Sequence, residues 1–485
     1  MTRPATAAPV PRAEAPACAA EPRPVLALHE AVAIVVGIVI GAGIFKTPAI
    51  VAGLAAHPAW MFGAWLLGGL VSLAGALVYA ELATACPHAG GDYHFLGRAY
   101  GRSVAFLFAW ARFAVITTGS IALLAFVYGD YMQTLLPLGA HGAAWHAAAA
   151  VVVFSLVNLR GLRAGVRTQS VLTALEVGGL LLVVVAGLWL AFGASPAPAP
   201  AAPPAPVPGL GAFGMAMVFV LLTFGGWNEA AYISAELKDA RRNMLRALLW
   251  SIGLVTALYL LVTWACWRGL GMARMAASHA VAADLLHAAF GPAGATLVAV
   301  LVAVAALTSI NATMIVGARS AFAAGRDWPA LARLGRWDAR RDTPALAMLA
   351  QGAGSLALVA AGRLAGGGFH AMVEFTAPVF WLFFLLTGFA LIVLRRREPA
   401  LERPFKVPGY PWVPLAFCAS CACMLWSSLS YVHGQAVGGF SAAWIGVAVL
   451  ATGGLVLAVL RREGRAHAPP VQPAVALPAP PRRPR

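Results

Sequence analysis

Apolar runs of about twenty residues, divided by short polar stretches, recur about twelve times along this chain, the first centred near Val39 and the last near Val449. Runs of that length cross the hydrocarbon of a bilayer as helices. The pattern therefore predicts an all-α polytopic membrane protein with about 12 transmembrane helices. Two of the runs are interrupted by glycine in the same way, one opening each half of the array. The first reads Gly37-Ile38-Val39-Ile40-Gly41-Ala42-Gly43-Ile44-Phe45, and the second Leu221-Leu222-Thr223-Phe224-Gly225-Gly226-Trp227-Asn228-Glu229. Unwound backbone in lipid is tolerated only where protein buries it or where it lines a cavity. A matched pair of such breaks in corresponding halves points to the binding site of a repeat-built transporter. Close packing of helices through small residues is the other use of glycine in a membrane.

Composition narrows the class. The chain is 61% hydrophobic and 11% charged, against about 25% charge in soluble domains. Its net charge of +16 reflects topology rather than nucleic-acid binding. With the N-terminus placed in the cytoplasm, nearly all Lys and Arg fall on the cytoplasmic side. Arg268, Arg274 and Arg363 lie opposite, and Lys46, Arg112 and Arg319 lie within or beside spans. That asymmetry obeys the positive-inside rule for an even number of helices with both termini inside. Lysine occurs only at 46, 238 and 406, and with the Ala and Pro excess this reads as a GC-rich coding bias, hence a bacterial plasma membrane. The first residues lack the apolar core of a signal peptide. The six cysteines form no evident disulfide framework. Cys418, Cys421 and Cys423 fall inside an apolar run with no His or carboxylate nearby, which favours packing over metal binding.

Each break creates half-helix ends that face the gap. Unpaired N–H groups near Ala42 to Ile44, with the positive end of the outer half-helix, suit a carboxylate. Carbonyls near Val39 and Ile40 suit an ammonium. Asn228 can donate and accept, and so serves either end of a zwitterion. Glu229 and Glu236, seven residues apart on one helical face, read as structural or gating salt bridges, with partners such as Arg241 or Arg160, rather than as direct substrate contacts. Glu81 is expected to pair with a cytoplasmic Arg, Lys46 to snorkel to the interface, and Arg319 to serve helix dipole and topology. Glu374 receives no role. His279 to Asp284 matches His-x4-Asp without the other blocks of acyl-transfer chemistry, and no phosphate loop or HExxH motif occurs. No enzymatic activity and no cofactor or metal are expected.

The motifs taken together resemble the amino acid–polyamine–organocation superfamily, and within it the L-type amino acid transporter branch and its bacterial relatives. The resemblance runs from His29 to about Arg462. It rests on the two broken segments and on Ala80-Glu81-Leu82 with Pro87, Gly90-Gly91-Asp92-Tyr93. It continues through Ala235-Glu236-Leu237-Lys238-Asp239 with Arg242-Asn243, Gly317-Ala318-Arg319, and Arg403-Pro404-Phe405-Lys406-Val407-Pro408-Gly409-Tyr410-Pro411. It implies the leucine-transporter fold, a 5+5 inverted repeat plus two helices with helices 1 and 6 broken. Residues 28–194 would form the first repeat, 209–398 the second, and 399–460 the last two helices. A Pro/Ala-rich extracytoplasmic linker, 195–208, would join the repeats, between disordered cytoplasmic tails at 1–27 and 461–485.

The resemblance also implies site roles by position. Amides of Ala42 and Gly43, beside Gly41, would take a substrate carboxylate. Carbonyls of Val39, Leu222 and Gly225 would take its amine, with Ile40, Phe224 and Asn228 beside it. Leu222 stands where relatives often carry an aromatic gate, a place for which Phe224 could compensate. Glu176 stands where sodium-independent relatives carry a lysine. A lone carboxylate there has a large desolvation cost when charged, and transporters use such groups as proton relays. Glu176 could instead pair with Arg112, or with a cation held beside Thr308 and Ser309. The loop from Asp130 to His146, which in animal members carries the cysteine linking an ancillary subunit, holds none here, so no disulfide-linked subunit is expected. The function implied is secondary active transport of amino acids across the plasma membrane by alternating access, either sodium-independent exchange or proton-coupled uptake. The alternatives are transport of cationic amines or polyamines, or a non-transporting amino acid sensor.

Overall fold

The computed structural model describes residues 22–193, 209–278, 280–364, 368–433, 436–437 and 440–466. The 195–208 linker, His279, the tail from 467 and the side chain of Glu374 lie outside the described residues. Among the described residues, ten helices are long and apolar enough to cross a membrane. Four precede segment six, Pro58–Ala85, Arg102–Leu135, Gly142–Leu159 and Leu162–Phe192 as segments two to five, and Gly211–Ile233 is segment six, which contains its break. Five follow it: Ala240–Leu270, Pro292–Asp327, Ala345–Arg363, Pro378–Arg397 and Trp412–Ser430, segments seven to eleven.

Segment one falls short of that length because it is broken. It consists of the helix Leu28–Val39, a 3-10 turn Ala42–Phe45 and the helix Thr47–Ala55. Segment twelve is the helix Ala442–Ala466, reached through a two-residue hairpin that pairs Ala436–Val437 with Phe440–Ser441. The twelve segments, with the first and sixth broken, match the leucine-transporter fold expected from the sequence.

Lipid offers no hydrophobic drive for one helix to seek another, so the helices meet through small residues that let backbones approach. A Cβ on Gly75 of segment two would lie 2.4 Å from the Trp227 ring of segment six. Gly37 behaves the same way. It sits inside the Leu28–Val39 helix, and a Cβ there would lie 2.3 Å from Gln169 and 2.6 Å from Thr308. Its role is to bring segment one against segments five and eight. The unwinding begins three residues later, so Gly37 does not share it with Gly41 and Gly43.

The break in segment six is made by Gly225 and Gly226. Gly226 adopts φ +111°, a left-handed conformation that an L residue resists. Segment three also departs from α-helix, with a π-helical stretch at Arg112–Thr117. Such bulges concentrate at functional sites, and this one begins at a buried arginine.

Candidate functional site

The two breaks abut. A Cβ on Gly226 would lie 2.5 Å from Ile38. In segment one the Ile40 N–H still reaches the Val36 carbonyl at 2.8 Å, and Gly41 N–H turns back onto Val39 at 2.9 Å. Beyond them the helical ladder stops. The amides of Ala42 and Gly43 make no hydrogen bond within the described residues, and neither does the Gly225 carbonyl. Such groups are costly in a buried setting unless a ligand or water meets them.

Of the other carbonyls flagged by the sequence, Ile40 accepts no hydrogen bond among the described residues, while Val39 and Leu222 are occupied. Val39 accepts from Gly41 N–H and from the Tyr259 hydroxyl at 2.8 Å, and Leu222 accepts from Gly225 N–H at 3.2 Å. A carbonyl has two lone pairs, so Val39 is fully used, and Leu222 is reached by Phe224 N–H as well.

Tyr259, on segment seven, was not singled out in the sequence. Its hydroxyl lies 2.8 Å from the Val39 carbonyl and 3.0 Å from the Thr223 carbonyl, and so bridges both breaks. The Thr223 hydroxyl in turn donates to Thr47 at 2.9 Å, beside Gly43. Phe224 is fully buried in a cluster with Trp65 and Tyr259, whereas Leu222 is 45% exposed. Tyr259→Phe keeps the ring packing and removes the bridge. It is expected to lower unfolding stability by about 0.5–1.5 kcal/mol, the usual net worth of one hydrogen bond, measured by thermal or denaturant melting.

Towards the end of the molecule that bears the arginine-rich loops, two carboxylates of segment six are buried in ion pairs. Glu229 forms a bidentate pair with Arg112 of segment three, with one contact at 3.0 Å. The same guanidinium donates to Ser320 of segment eight at 3.1 Å and lies 3.9 Å from the centre of the Tyr232 ring. Tyr232 and Tyr79 both donate to Asp92 at 2.6 Å. Above this cluster Asn228 is buried, and its Oδ1 has no partner. It shares a small cavity with Tyr79, Asp92 and Arg112.

Glu236 pairs with Arg319 at 2.5 and 2.6 Å. The partners expected from the sequence are thus replaced. Arg241 lies at the surface with Glu402, while Arg112 and Arg319 reach segment six from inside the bundle. Arg319 is an interior ion-pair residue, beyond any dipole role. Glu81 does meet basic partners, Arg395 at 2.5 and 2.7 Å and Arg403 at 3.4 Å. Lys46 is exposed.

The start of segment one is tied to the end of segment six at the same level. Leu26 N–H donates to Glu236 carbonyl at 2.8 Å, and Lys238 N–H donates to Leu26 at 2.9 Å. On the short helix Asp92–Tyr100 nearby, His94 stacks on His88 with centroids 4.2 Å apart. Burial, with help from His88 and Arg98, pushes His94 down to about 3, so it adds no positive charge at neutral pH.

Glu176 is buried on segment five, and neither carboxylate oxygen has a partner among the described residues. Arg112, one partner considered for it, is held by Glu229. Thr173 and Gln169 precede Glu176 by one and two turns on its face of the helix. Thr173 donates to the Ala33 carbonyl at 3.0 Å, and Asn311 donates to Gln169 at 2.8 Å. Ser309 donates to the Gly37 carbonyl at 3.1 Å, and Thr308 to its own helix at Val304. This face therefore looks onto segments one and eight beside the break. Among the described residues no three His, Cys, Asp or Glu side chains group as metal ligands.

Broken segments one and six, abutting at mid-bundle with free amides on one side and a free carbonyl on the other, define a membrane permease. The chain belongs to the amino acid permease family, whose model matches residues 26–452. Members of that family are transporters, not enzymes. The chain is 30% identical to the human b(0,+)-type amino acid transporter 1 over 387 residues, covering 79% of this chain and 78% of that protein. It is 28% identical to the mouse large neutral amino acids transporter small subunit 2 over 404 residues, covering 81% and 75%. The superfamily resemblance read from the motifs is correct, and the protein is a multi-pass membrane protein.

Proposed function

We propose that this permease is a secondary active amino acid transporter that binds its substrate across the two abutting breaks and works by alternating access. The observation that carries the proposal is the complementary pair of unsatisfied groups, the Ala42 and Gly43 amides opposite the Gly225 carbonyl. A zwitterion supplies both missing partners, its carboxylate to the amides at a helix N-terminus and its ammonium to the Gly225 and Ile40 carbonyls, beside those of Val39 and Leu222. Gly41, Phe224 and Asn228 complete the surroundings. The names of the relatives, which specify amino acids, support the same substrate class.

The arginine-rich end is taken as cytoplasmic, with both termini there, by the positive-inside rule in a plasma membrane. The division into 28–194, 209–398 and 399–460 belongs to the same proposal. Glu229 and Glu236, paired with Arg112 and Arg319, hold the inner half of segment six against segments three and eight. These contacts keep the cytoplasmic side shut. Opening it requires both pairs to part, and a ligand drives that change only through unequal affinity for the two states.

Glu176 is the coupling residue. It is buried with neither carboxylate oxygen partnered, and an unpartnered carboxyl in a membrane interior is a group that exchanges protons, with Thr308 and Ser309 as candidate companions. One relative is named as a subunit. The loop from Asp130 to His146 has no cysteine, so a companion of this chain would not be joined there by a disulfide.

The test is uptake of radiolabelled amino acids into proteoliposomes, with and without internal amino acid, at two external pH values. Uptake into empty vesicles that rises as the outside is acidified identifies a proton symporter. Uptake only into preloaded vesicles identifies an exchanger. Absence of amino acid uptake alongside uptake of a polyamine would replace the substrate assignment. In the symporter case Glu176→Gln, which cannot ionise, is expected to give a flat pH profile with the protein still folded. A wild-type pH profile in that variant would remove Glu176 from coupling.

A further inference from the structure

The outer face of segment seven carries a feature that substrate movement does not use. Its inner half exposes Arg242, Arg246, Leu249, Trp250, Gly253 and Leu254 in one continuous strip. Arg242, Arg246 and Trp250 follow at intervals of four, with Leu249 and Gly253 alongside, the spacing of neighbours on one helix face. Arg246, Leu249, Trp250, Gly253 and Leu254 line a surface groove. Trp250 is 68% exposed and forms its flank. Gly253 forms a notch, since a Cβ there would meet no atom within 4 Å. In a bilayer this strip faces lipid.

The charge at its inner end is uncompensated. Neither Arg242 nor Arg246 pairs with an acidic group among the described residues. Asp239, three residues before Arg242, makes no ion pair among the described residues, and Glu402, distant in sequence, is taken by Arg241. Exposed Lys238 adds a further positive charge. From Arg246 to Gly253 the helix rises about 10 Å, so a phosphate at the arginines would send an acyl chain along Leu249 and into the notch.

We propose that this groove is a binding site for one anionic phospholipid. The headgroup phosphate is held by Arg242 and Arg246, and an acyl chain runs beside Trp250 over Gly253. Long arginine side chains reach the headgroup level from within the apolar layer, and tryptophan is suited to that interface. Charge complementarity selects the occupant: two unpaired arginines above an apolar channel match an anionic head on a hydrocarbon tail, and the inner leaflet supplies such lipids.

The test uses the purified full chain in detergent, with its thermal unfolding midpoint followed against phosphatidylglycerol, phosphatidylcholine of the same acyl chains, and inorganic phosphate. Phosphatidylglycerol is expected to raise the midpoint at the lowest concentration, and inorganic phosphate to leave it unchanged. Each arginine near the surface contributes about fivefold in affinity for an anionic lipid, so R242Q/R246Q should weaken phosphatidylglycerol about thirtyfold. Gly253→Leu fills the notch and should weaken both lipids, with amino acid uptake kept as the check on folding. An equal response to phosphatidylglycerol in wild type and R242Q/R246Q would overturn the site, as would a full shift from inorganic phosphate. If the double variant does not fold, Gly253→Leu decides alone, and lipid responses unchanged by it would overturn the groove.

Discussion

Glu229→Gln is expected to destabilise the protein by about 3–5 kcal/mol and to abolish uptake, because it leaves a buried arginine without its counter-charge. Arg112 is 2% exposed, and its remaining contacts are a single hydrogen bond to Ser320 and the face of Tyr232. Those contacts presuppose the position that Glu229 fixes by gripping both terminal nitrogens. The neighbouring Asp92 is held in place by hydrogen bonds from Tyr79 and Tyr232 and makes no ion pair with Arg112. Loss of the partner thus strands a charge at mid-bundle.

Removing both charges has a different outcome, because an apolar pair of similar volume escapes the desolvation cost. R112M/E229L should melt near the wild-type temperature. If that stable double variant also fails to transport, the pair acts in gating beyond its structural part. A Glu229→Gln protein that melts with the wild type would show that Arg112 is accommodated otherwise.

This pair also shows where the sequence was legible and where it was not. Both carboxylates of segment six were recognisable as costly, and therefore paired, groups from their place in an apolar run. Their partners were not, because Arg112 lies 117 positions from Glu229 and Arg319 lies 83 from Glu236. Nearness in sequence and charge on the same side favoured Arg241, which the structure leaves at the surface. Glu81 was easier, because the end of segment two must meet an arginine-rich surface whichever arginine supplies the contact.

The breaks were legible as a matched pair, yet each glycine in them had to be placed. Glycine in a membrane serves close approach as well as unwinding, and only the packing of Gln169 and Thr308 against Gly37 separates the two uses. Tyr259 left no signal at all. A tyrosine in an apolar run can anchor anywhere along the helix until the carbonyls of two other helices are seen within its reach.

Gly226→Ala should be the most damaging single methyl group in either break. The residue lies at φ +111° in the left-handed region, where an L side chain costs about 1–2 kcal/mol. Its Cβ would also fall 2.5 Å from Ile38 Cγ2, at the contact between the broken segments. Overpacking of that kind adds about 1–3 kcal/mol when the neighbours cannot move, and here the neighbour lies in the last turn of the helix that leads directly into the break and its amides. The variant is expected to lose substrate binding and uptake together, read as loss of the ligand-induced rise in melting temperature and of proteoliposome transport. At Gly43 the added Cβ would stand 3.3 Å from Thr223 Oγ1, a contact that small shifts relieve, so Gly43→Ala should be milder. Combining Gly226→Ala with Ile38→Ala separates the two costs, since it removes the clash and keeps the backbone strain. Recovery of binding in the double variant would assign the damage to the contact between segments. No recovery would assign it to the conformation of the break itself. Wild-type uptake by Gly226→Ala would mean that the two segments do not meet at this point during transport, and the proposed site would have to be placed elsewhere.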